Sequence, residues 1–130
     1  MLPPAERTEL GEALVSVART AIGDDLRSAT YFTADDYEQL YLRSDLEHDA
    51  NLEPFVANER LGFTSQQTYG ETELGAYHFT IRVFEWGAIT RTIVGDHGVF
   101  VTTDPLDLDD FTEVHHSIRT VLSEFADRTA

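Results

Sequence analysis

Apolar or weakly polar side chains recur at intervals of three and four residues along the last part of the chain. The recurring positions are Leu108, Phe111, His115, Ile118, Leu122 and Phe125. This spacing is typical of one face of an amphipathic helix, and it predicts a helix from residue 106 or 107 to residue 126. Asp107, Asp109 and Asp110 would then lie in the first turn, where the helix dipole favours negative charge. We expect this helix to lie across one face of a sheet.

Helical periodicity also marks two earlier segments. In the first segment the stripe consists of Leu10, Leu14, Val17 and Ala21. It predicts a helix over residues 4–22, which Gly23 would end as a C-terminal cap. A less regular stripe predicts a middle helix over residues 53–61, with Pro54 in its first turn and Gly62 at its end. The polar residues 64–75 are interpreted as a loop.

Strand patterns fill the remaining segments. Short stretches rich in β-branched and aromatic residues are bounded by turn residues, and they predict strands over residues 26–32, 37–43, 76–86, 88–94 and 99–103. The first two strands would form a hairpin, and the last three would form an antiparallel meander. The sequence therefore predicts a single α+β domain over residues 1–130. Its order would be α-β-β-α-β-β-β-α, with about five antiparallel strands in one layer packed against helices.

Alternation along two of these strands assigns side chains to faces of the sheet. In strand 37–43, Leu40 and Leu42 are expected to face the core, while Tyr41 and Arg43 would face solvent or a partner. Strand 76–86 would place one set of side chains towards the core. The set is Tyr77, Phe79, Ile81 and Val83. The opposite face would carry His78, Thr80, Arg82, Phe84 and Trp86.

Charge is the most unusual property of the composition. The chain carries 24 Asp and Glu against nine Arg, it has no lysine, and its net charge is −15. A small domain needs a charge of only about 2 to 8 in magnitude for solubility. Such self-repulsion is tolerated where about 1 M salt shortens the screening length to about 3 Å. We therefore expect a halophilic protein that works in a K⁺-rich cytoplasm.

The same composition argues against several classes of function. Nine scattered arginines form no basic stripe, which disfavours nucleic-acid binding. Cysteine is absent, so thiolate metal sites and cysteine nucleophiles are excluded. No apolar run approaches the roughly 18 residues of a membrane span, and the N-terminal residues lack the pattern of a signal peptide. We expect no membrane association.

Candidate sites are few. His115 and His116 are adjacent on a helix, so their rings point about 100° apart and cannot readily share a metal; we expect His115 to be a hydrogen-bonded core or boundary residue. The turn residues Asp96 and His97 could bind a cation, although Asp is common in turns for local hydrogen bonding. Asp104, with the aspartates of the last helix, lacks the glycine and terminal Glu of a calcium loop. We expect no metal, no cofactor and no catalytic residue.

A polar patch on the long strand is the stronger candidate. His78, Thr80 and Arg82, with Thr90 or Thr92 on the next strand, could bind an anionic ligand, or they could simply form the solvent face. Large exposed aromatic residues often mark contact sites. The expected ligand or partner surface is formed by Tyr41, Arg43, His78, Arg82, Phe84 and Trp86.

Two resemblances add to this interpretation. The run from Asp36 to Leu46, DYEQLYLRSDL, resembles a segment of a group of small acidic haloarchaeal proteins for which no activity is known. The element order is similar to that of roadblock and longin domains of the profilin-like class. This second resemblance implies a non-enzymatic interaction module, often dimeric, which contacts small GTPases or other partners, although a fold does not by itself specify a function.

Together these observations favour a non-enzymatic module that forms a homodimer or binds a protein partner. The alternative is a small-ligand sensor domain with a pocket between sheet and helices. An enzyme would require a pocket that joins His78, Arg82 and a carboxylate.

Overall fold

The computed structural model describes residues 3–46 and 51–128. Its helices are α1 (Pro4–Ile22), α2 (Glu53–Thr68) and α3 (Leu108–Arg128), and a 3₁₀ turn (Gly23–Asp25) follows α1. Its strands are β1 (Leu26–Phe32), β2 (Tyr37–Leu42), β3 (Glu71–Thr72), β4 (Gly75–Ala76), β5 (Thr80–Phe84), β6 (Gly87–Val94) and β7 (His97–Thr103). The antiparallel sheet has the order β2-β1-β7-β6-β5, and β3 pairs with β4 separately. The predicted α+β class with five antiparallel strands is confirmed.

Helices α1 and α3 cover one face of the sheet. The larger core on this face joins Leu10 and Leu14 of α1 to Ile118, Leu122 and Phe125 of α3. Burying each such side chain stabilises the fold by about 1.5–3 kcal/mol. The predicted stripe of α3 is confirmed from Phe111 onwards, whereas its first member, Leu108, is 68% exposed because it lies at the start of the helix.

Helix α2 covers the opposite face, over a smaller core. That core is formed by Phe32, Val56, Ile89, Ile93 and Phe100. The predicted end of this helix at Gly62 is wrong, because α2 continues to Thr68. Gly62 instead lies against the sheet, where the guanidinium of Arg91 occupies the space that a Cβ would need. The predicted loop 64–75 accordingly contains the end of α2 and the β3–β4 hairpin.

A β-bulge changes the face assignment in β2. The register with β1 shifts between Ala29 and Thr30, so strict alternation is broken opposite this point. Leu40 and Tyr41 both pack against the core on the α1 side. The predicted orientation of Tyr41 towards solvent is therefore wrong in part, because the side chain is partly buried against this core.

The predicted strand 76–86 is shorter in the structure. Ala76 belongs to β4, and β5 begins at Thr80. Tyr77 does not share a face with Phe79, because its hydroxyl contacts Arg91 on the α2 side whereas Phe79 stacks on His115 of α3. None of the described helices is long and apolar enough to cross a membrane.

Candidate functional site

The edge strand β5 and the turn that follows it expose large apolar side chains. Val83 is 81% exposed, Phe84 is 55% exposed and Trp86 is 79% exposed. Among the described residues β5 pairs only with β6 and lies at the end of the sheet order, so its other side presents backbone groups that no described strand pairs with. We call Thr80–Phe84 together with Trp86 the β5 edge. It combines free hydrogen-bonding groups with apolar surface.

The charge around the β5 edge differs from that of the rest of the chain. Between Glu73 and Asp96 the sequence carries a single acid, Glu85, and two arginines, Arg82 and Arg91. The chain as a whole has a net charge of −15. The β5–β6 hairpin is therefore poor in acid for this chain.

A buried ion-pair network supports the β5 edge from the α2 side. Glu59 of α2 is 1% exposed and Arg91 of β6 is 5% exposed, and Arg91 Nη1 donates to Glu59 Oε1 over 3.1 Å. Arg82 of β5 donates from Nε to Glu59 Oε2 over 2.9 Å. Arg91 Nη2 completes its bonds with the hydroxyls of Tyr77 (3.0 Å) and Thr80 (2.9 Å). Because the buried charges are paired and hydrogen-bonded, the network fixes β5 relative to α2.

The proposed polar patch does not form as one surface. Residues that are directly opposite in the register share a face, and Thr80 and Arg82 stand opposite Arg91 and Ile89 on the α2 side. Thr92 faces α3, where its hydroxyl contacts His115. Thr90 shares that opposite face, and the exposed His78 precedes β5. Thr90 and Thr92 therefore cannot join Thr80 and Arg82 in one anion-binding patch.

Tyr41 and Arg43 lie at the other edge of the sheet. The guanidinium of Arg19 lies 5.3 Å from the ring centroid of Tyr41. Arg43 Nε pairs with Asp45 Oδ1 at 2.7 Å, and its Nη1 pairs with Asp104 Oδ2 at 2.7 Å. The hydrogen bond from Arg43 lowers the pKa of Asp104. The six predicted surface residues thus divide between two opposite edges and do not make one site.

His115 is a core residue, as its position on the apolar stripe predicts. It is 4% exposed, its Nδ1 lies 2.8 Å from the Thr92 hydroxyl, and its ring centroid lies 4.1 Å from that of Phe79. Burial, together with repulsion from His116, Arg119 and His78, lowers the pKa of His115 to about 4. The ring is neutral at pH 7 and is a structural contact. Among the described residues, no group of three His, Asp or Glu side chains could hold a metal ion.

A cleft of about 750 Å³ lies at the end of the sheet away from Trp86. Its walls come from the start of α1, the β1–β2 loop, the second half of α2 and the β6–β7 turn. We call it the end cleft. The sequence offers Asp96 and His97 as turn residues that could bind a cation, but nothing local indicates that Arg7, Tyr31 and Phe63 line the same cleft.

Comparison with known proteins supplies a family and a fold. The family model described as "Domain of unknown function (DUF7522)" matches residues 12–123, and the chain therefore belongs to that family. No curated protein matches the sequence. The gliding protein MglB from Thermus thermophilus is similar in structure, with a TM-score of 0.59 and 9% identity over 88% of this chain and 92% of that one. MglC from Myxococcus xanthus gives a TM-score of 0.48 and 10% identity over 86% and 98% of the two chains. The likeness to MglB confirms the expected roadblock-like fold and carries no information beyond the fold.

Proposed function

We propose that this chain is a non-enzymatic protein-interaction module that forms a homodimer through the β5 edge. The observation that carries the proposal is the exposure of Val83 and Phe84 on an edge strand, and of Trp86 in the turn after it, where no described residue pairs with the outer backbone groups of the strand. Large exposed apolar side chains often mark contact sites, and an open edge strand pairs readily with another strand.

A second copy of the chain fits this edge. Two β5 strands related by a twofold axis would pair antiparallel, so that Ile81 and Val83 of one copy meet the same row on the other. Such an isologous contact satisfies the outer backbone groups of both strands with one arrangement.

The charge distribution favours self-association at this edge over other surfaces. Two copies with a net charge of −15 each repel strongly in dilute salt. The β5–β6 hairpin carries Arg82 and Arg91 against Glu85, so the local repulsion is small. Salt at molar concentration screens the remaining repulsion, because the Debye length falls to about 3 Å. The dimer is therefore expected to strengthen as KCl rises.

Sedimentation of the wild-type chain and two variants in about 2 M KCl tests the dimer. The wild type should sediment at twice the monomer mass of 14.6 kDa. Val83→Asp places a charge in the apolar row and should weaken dimerisation at least about tenfold, which corresponds to about 1.4 kcal/mol. Leu74→Asp is the matched control, since Leu74 is 98% exposed on the separate β3–β4 hairpin and the charge change is the same. A strictly monomeric wild type, or equal weakening by both variants, would contradict the proposal.

We also propose that the chain is a halophilic, cytoplasmic protein of haloarchaeal origin. The absence of lysine and the excess of acid over arginine support this environment. Because salt screens the surface carboxylates, stability should rise with KCl from dilute buffer to molar concentration. Thermal melting at 0.1 M and 2 M KCl measures this rise, and equal melting temperatures would exclude the halophilic assignment.

A further inference from the structure

The end cleft has the size and shape of a small-molecule site. Its volume of about 750 Å³ falls within the range of about 300–1,000 Å³ that is usual for ligand pockets. Four separate segments of the chain contribute to its walls, which makes it a product of the fold and not of one loop. It lies at the opposite end of the sheet from Trp86, so it is separate from the β5 edge.

A buried histidine supplies a polar atom to the cleft. His97 is 8% exposed, and its Nδ1 lies 2.6 Å from the hydroxyl of Tyr31. This bond, with the stacking of the two rings at 5.9 Å, fixes the imidazole in place. Burial lowers the pKa of His97, so the ring is neutral at pH 7. His97 lines the cleft, and its Nε2 forms no hydrogen bond with any residue in the described ranges.

A second pair of residues, Arg7 and Asp36, is held in place beside Tyr31. Arg7 Nη1 donates to Asp36 Oδ2 over 2.7 Å, and the guanidinium lies 5.3 Å from the centroid of the Tyr31 ring. The hydrogen bond from Arg7 lowers the pKa of Asp36, so this carboxylate stays ionised. Arg60 of α2 also holds the loop, because its guanidinium donates to the carbonyl oxygens of Thr33 and Asp36. The wall therefore exists before any ligand arrives.

The charge of the lining determines which ligands are accepted. Asp36 neutralises Arg7, while Asp35 and Asp96 contribute two further carboxylates at the rim. At contact distance an anionic head is repelled by these carboxylates, and a cationic head gains from them. Phe63 and Ile93 supply an apolar wall on the α2 side.

We infer that the end cleft binds a small organic cation: an amine or guanidinium head, attached to a flat apolar body of about ten to twenty heavy atoms. The head lies between Asp35 and Asp96, the body lies against Phe63 and Ile93, and a polar atom of the body bonds to His97 Nε2. This site is independent of the proposed homodimer.

Three probes that share one body test the charge requirement. Tryptamine carries an ammonium group, tryptophol carries a neutral hydroxyl and indole-3-propionate carries a carboxylate on the same indole ring. Titration of the full chain in KCl buffer, followed by amide NMR shifts, should show tryptamine binding at least about tenfold more tightly than tryptophol. The shifts should fall on residues 33–36 and 95–97. Indole-3-propionate should not bind.

Two variants and a control locate the site. Asp96→Asn should weaken tryptamine binding about fivefold or more, and Ala34→Trp should abolish it by filling the cleft. Asp109→Asn removes the same charge from the exposed start of α3, at the other end of the sheet, and should change the affinity less than twofold.

Equal affinity for all three probes, no binding of tryptamine, or equal effects of Asp96→Asn and Asp109→Asn would each overturn the inference. Binding of a basic peptide without binding of tryptamine would also overturn it, because the cleft would then recognise a protein segment. Failure of this inference can be distinguished from failure of the proposed homodimer by sedimentation of Ala34→Trp. This variant should still dimerise, because filling the cleft leaves the β5 edge unchanged.

Discussion

The two edges of the sheet are built in opposite ways. At the β2 edge the strand carries a bulge, Tyr41 turns in against α1, and Arg43 ties the strand end to Asp45 and Asp104. At the β5 edge the strand is regular, and Val83 is largely exposed. Bulges and charges are the usual protection of an edge against pairing with another strand. The difference indicates that the β2 edge is closed to partners and that the β5 edge is available to them.

The supports of the two edges differ as well. Behind β5 lies the buried pair of Glu59 and Arg91, whereas the ion pairs of Arg43 at the β2 edge are partly exposed to solvent. Breaking a buried pair leaves an uncompensated charge, but a surface pair contributes little. Substitutions at the two edges should therefore have very different costs.

The largest effect is expected from Glu59→Leu. This change leaves the buried guanidinium of Arg91 with only the hydroxyls of Tyr77 and Thr80, and it should lower the free energy of unfolding by about 3–5 kcal/mol. Urea unfolding in KCl buffer measures the loss. Glu53→Leu is the control on the same helix, because Glu53 is exposed and its contribution through the helix dipole is below about 1 kcal/mol. Equal losses in the two variants would show that the network does not support the β5 edge.

The next largest effect is expected when the free energy of unfolding is measured as a function of pH. It comes from His115, which lies on the α3 side of the sheet near the β5 edge. The pKa of His115 is about 4 in the folded chain and 6.5 as its ordinary value. The unfolded state therefore binds a proton first as pH falls, and stability should drop by about 1.4 kcal/mol per pH unit between pH 6.5 and 4. Burial of His97 acts in the same direction.

Two glutamine variants assign this slope. His115→Gln retains a partner for Thr92 but cannot titrate in this range, so its denaturant midpoint should depend less on pH. His116→Gln removes only a secondary cause of the low His115 pKa and should retain most of the wild-type slope. An unchanged slope in His115→Gln would show that the buried imidazole is not the source.

The smallest effect is expected at the β2 edge, from Arg43→Gln. The loss of its ion pairs should lower the urea midpoint much less than Glu59→Leu does, because the Asp45 carboxylate is exposed and the pairs are screened by salt. The pKa of Asp104 should rise towards its ordinary value, since Arg43 is the main cause of its lowering. NMR titration of the Asp104 carboxyl measures this change. A loss as large as that of Glu59→Leu would remove the distinction between the two edges.

Local patterns were sufficient for the parts of the fold that depend on local spacing. The stripe of α3 from Phe111 to Phe125 predicts a buried helix face, and the structure has it. The cap at Gly23 is also observed at the end of α1, with a φ of +58°. Both features depend on residues within a few positions of one another.

Features that depend on residues distant in the sequence could not be predicted from local patterns. Gly62 is typical of a helix end, but it lies inside α2, which continues to Thr68. The space left by its missing side chain is filled by Arg91, 29 positions further along the chain. The bulge opposite Ala29 and Thr30 moves Tyr41 to the core side, and alternation within β2 alone cannot show it. The end cleft likewise combines residues as distant as Arg7 and His97. Tertiary placement decides each of these cases.

The contact between Gly62 and Arg91 constrains how the sequence can change over evolutionary time. Any side chain at position 62 would occupy the space that the guanidinium fills. Substitution of the glycine alone would displace Arg91 and leave Glu59 with only Arg82 as a partner. Positions 62, 91 and 59 should therefore vary together among family members. Relatives that lack the glycine should also lack the buried arginine and the acid that pairs with it.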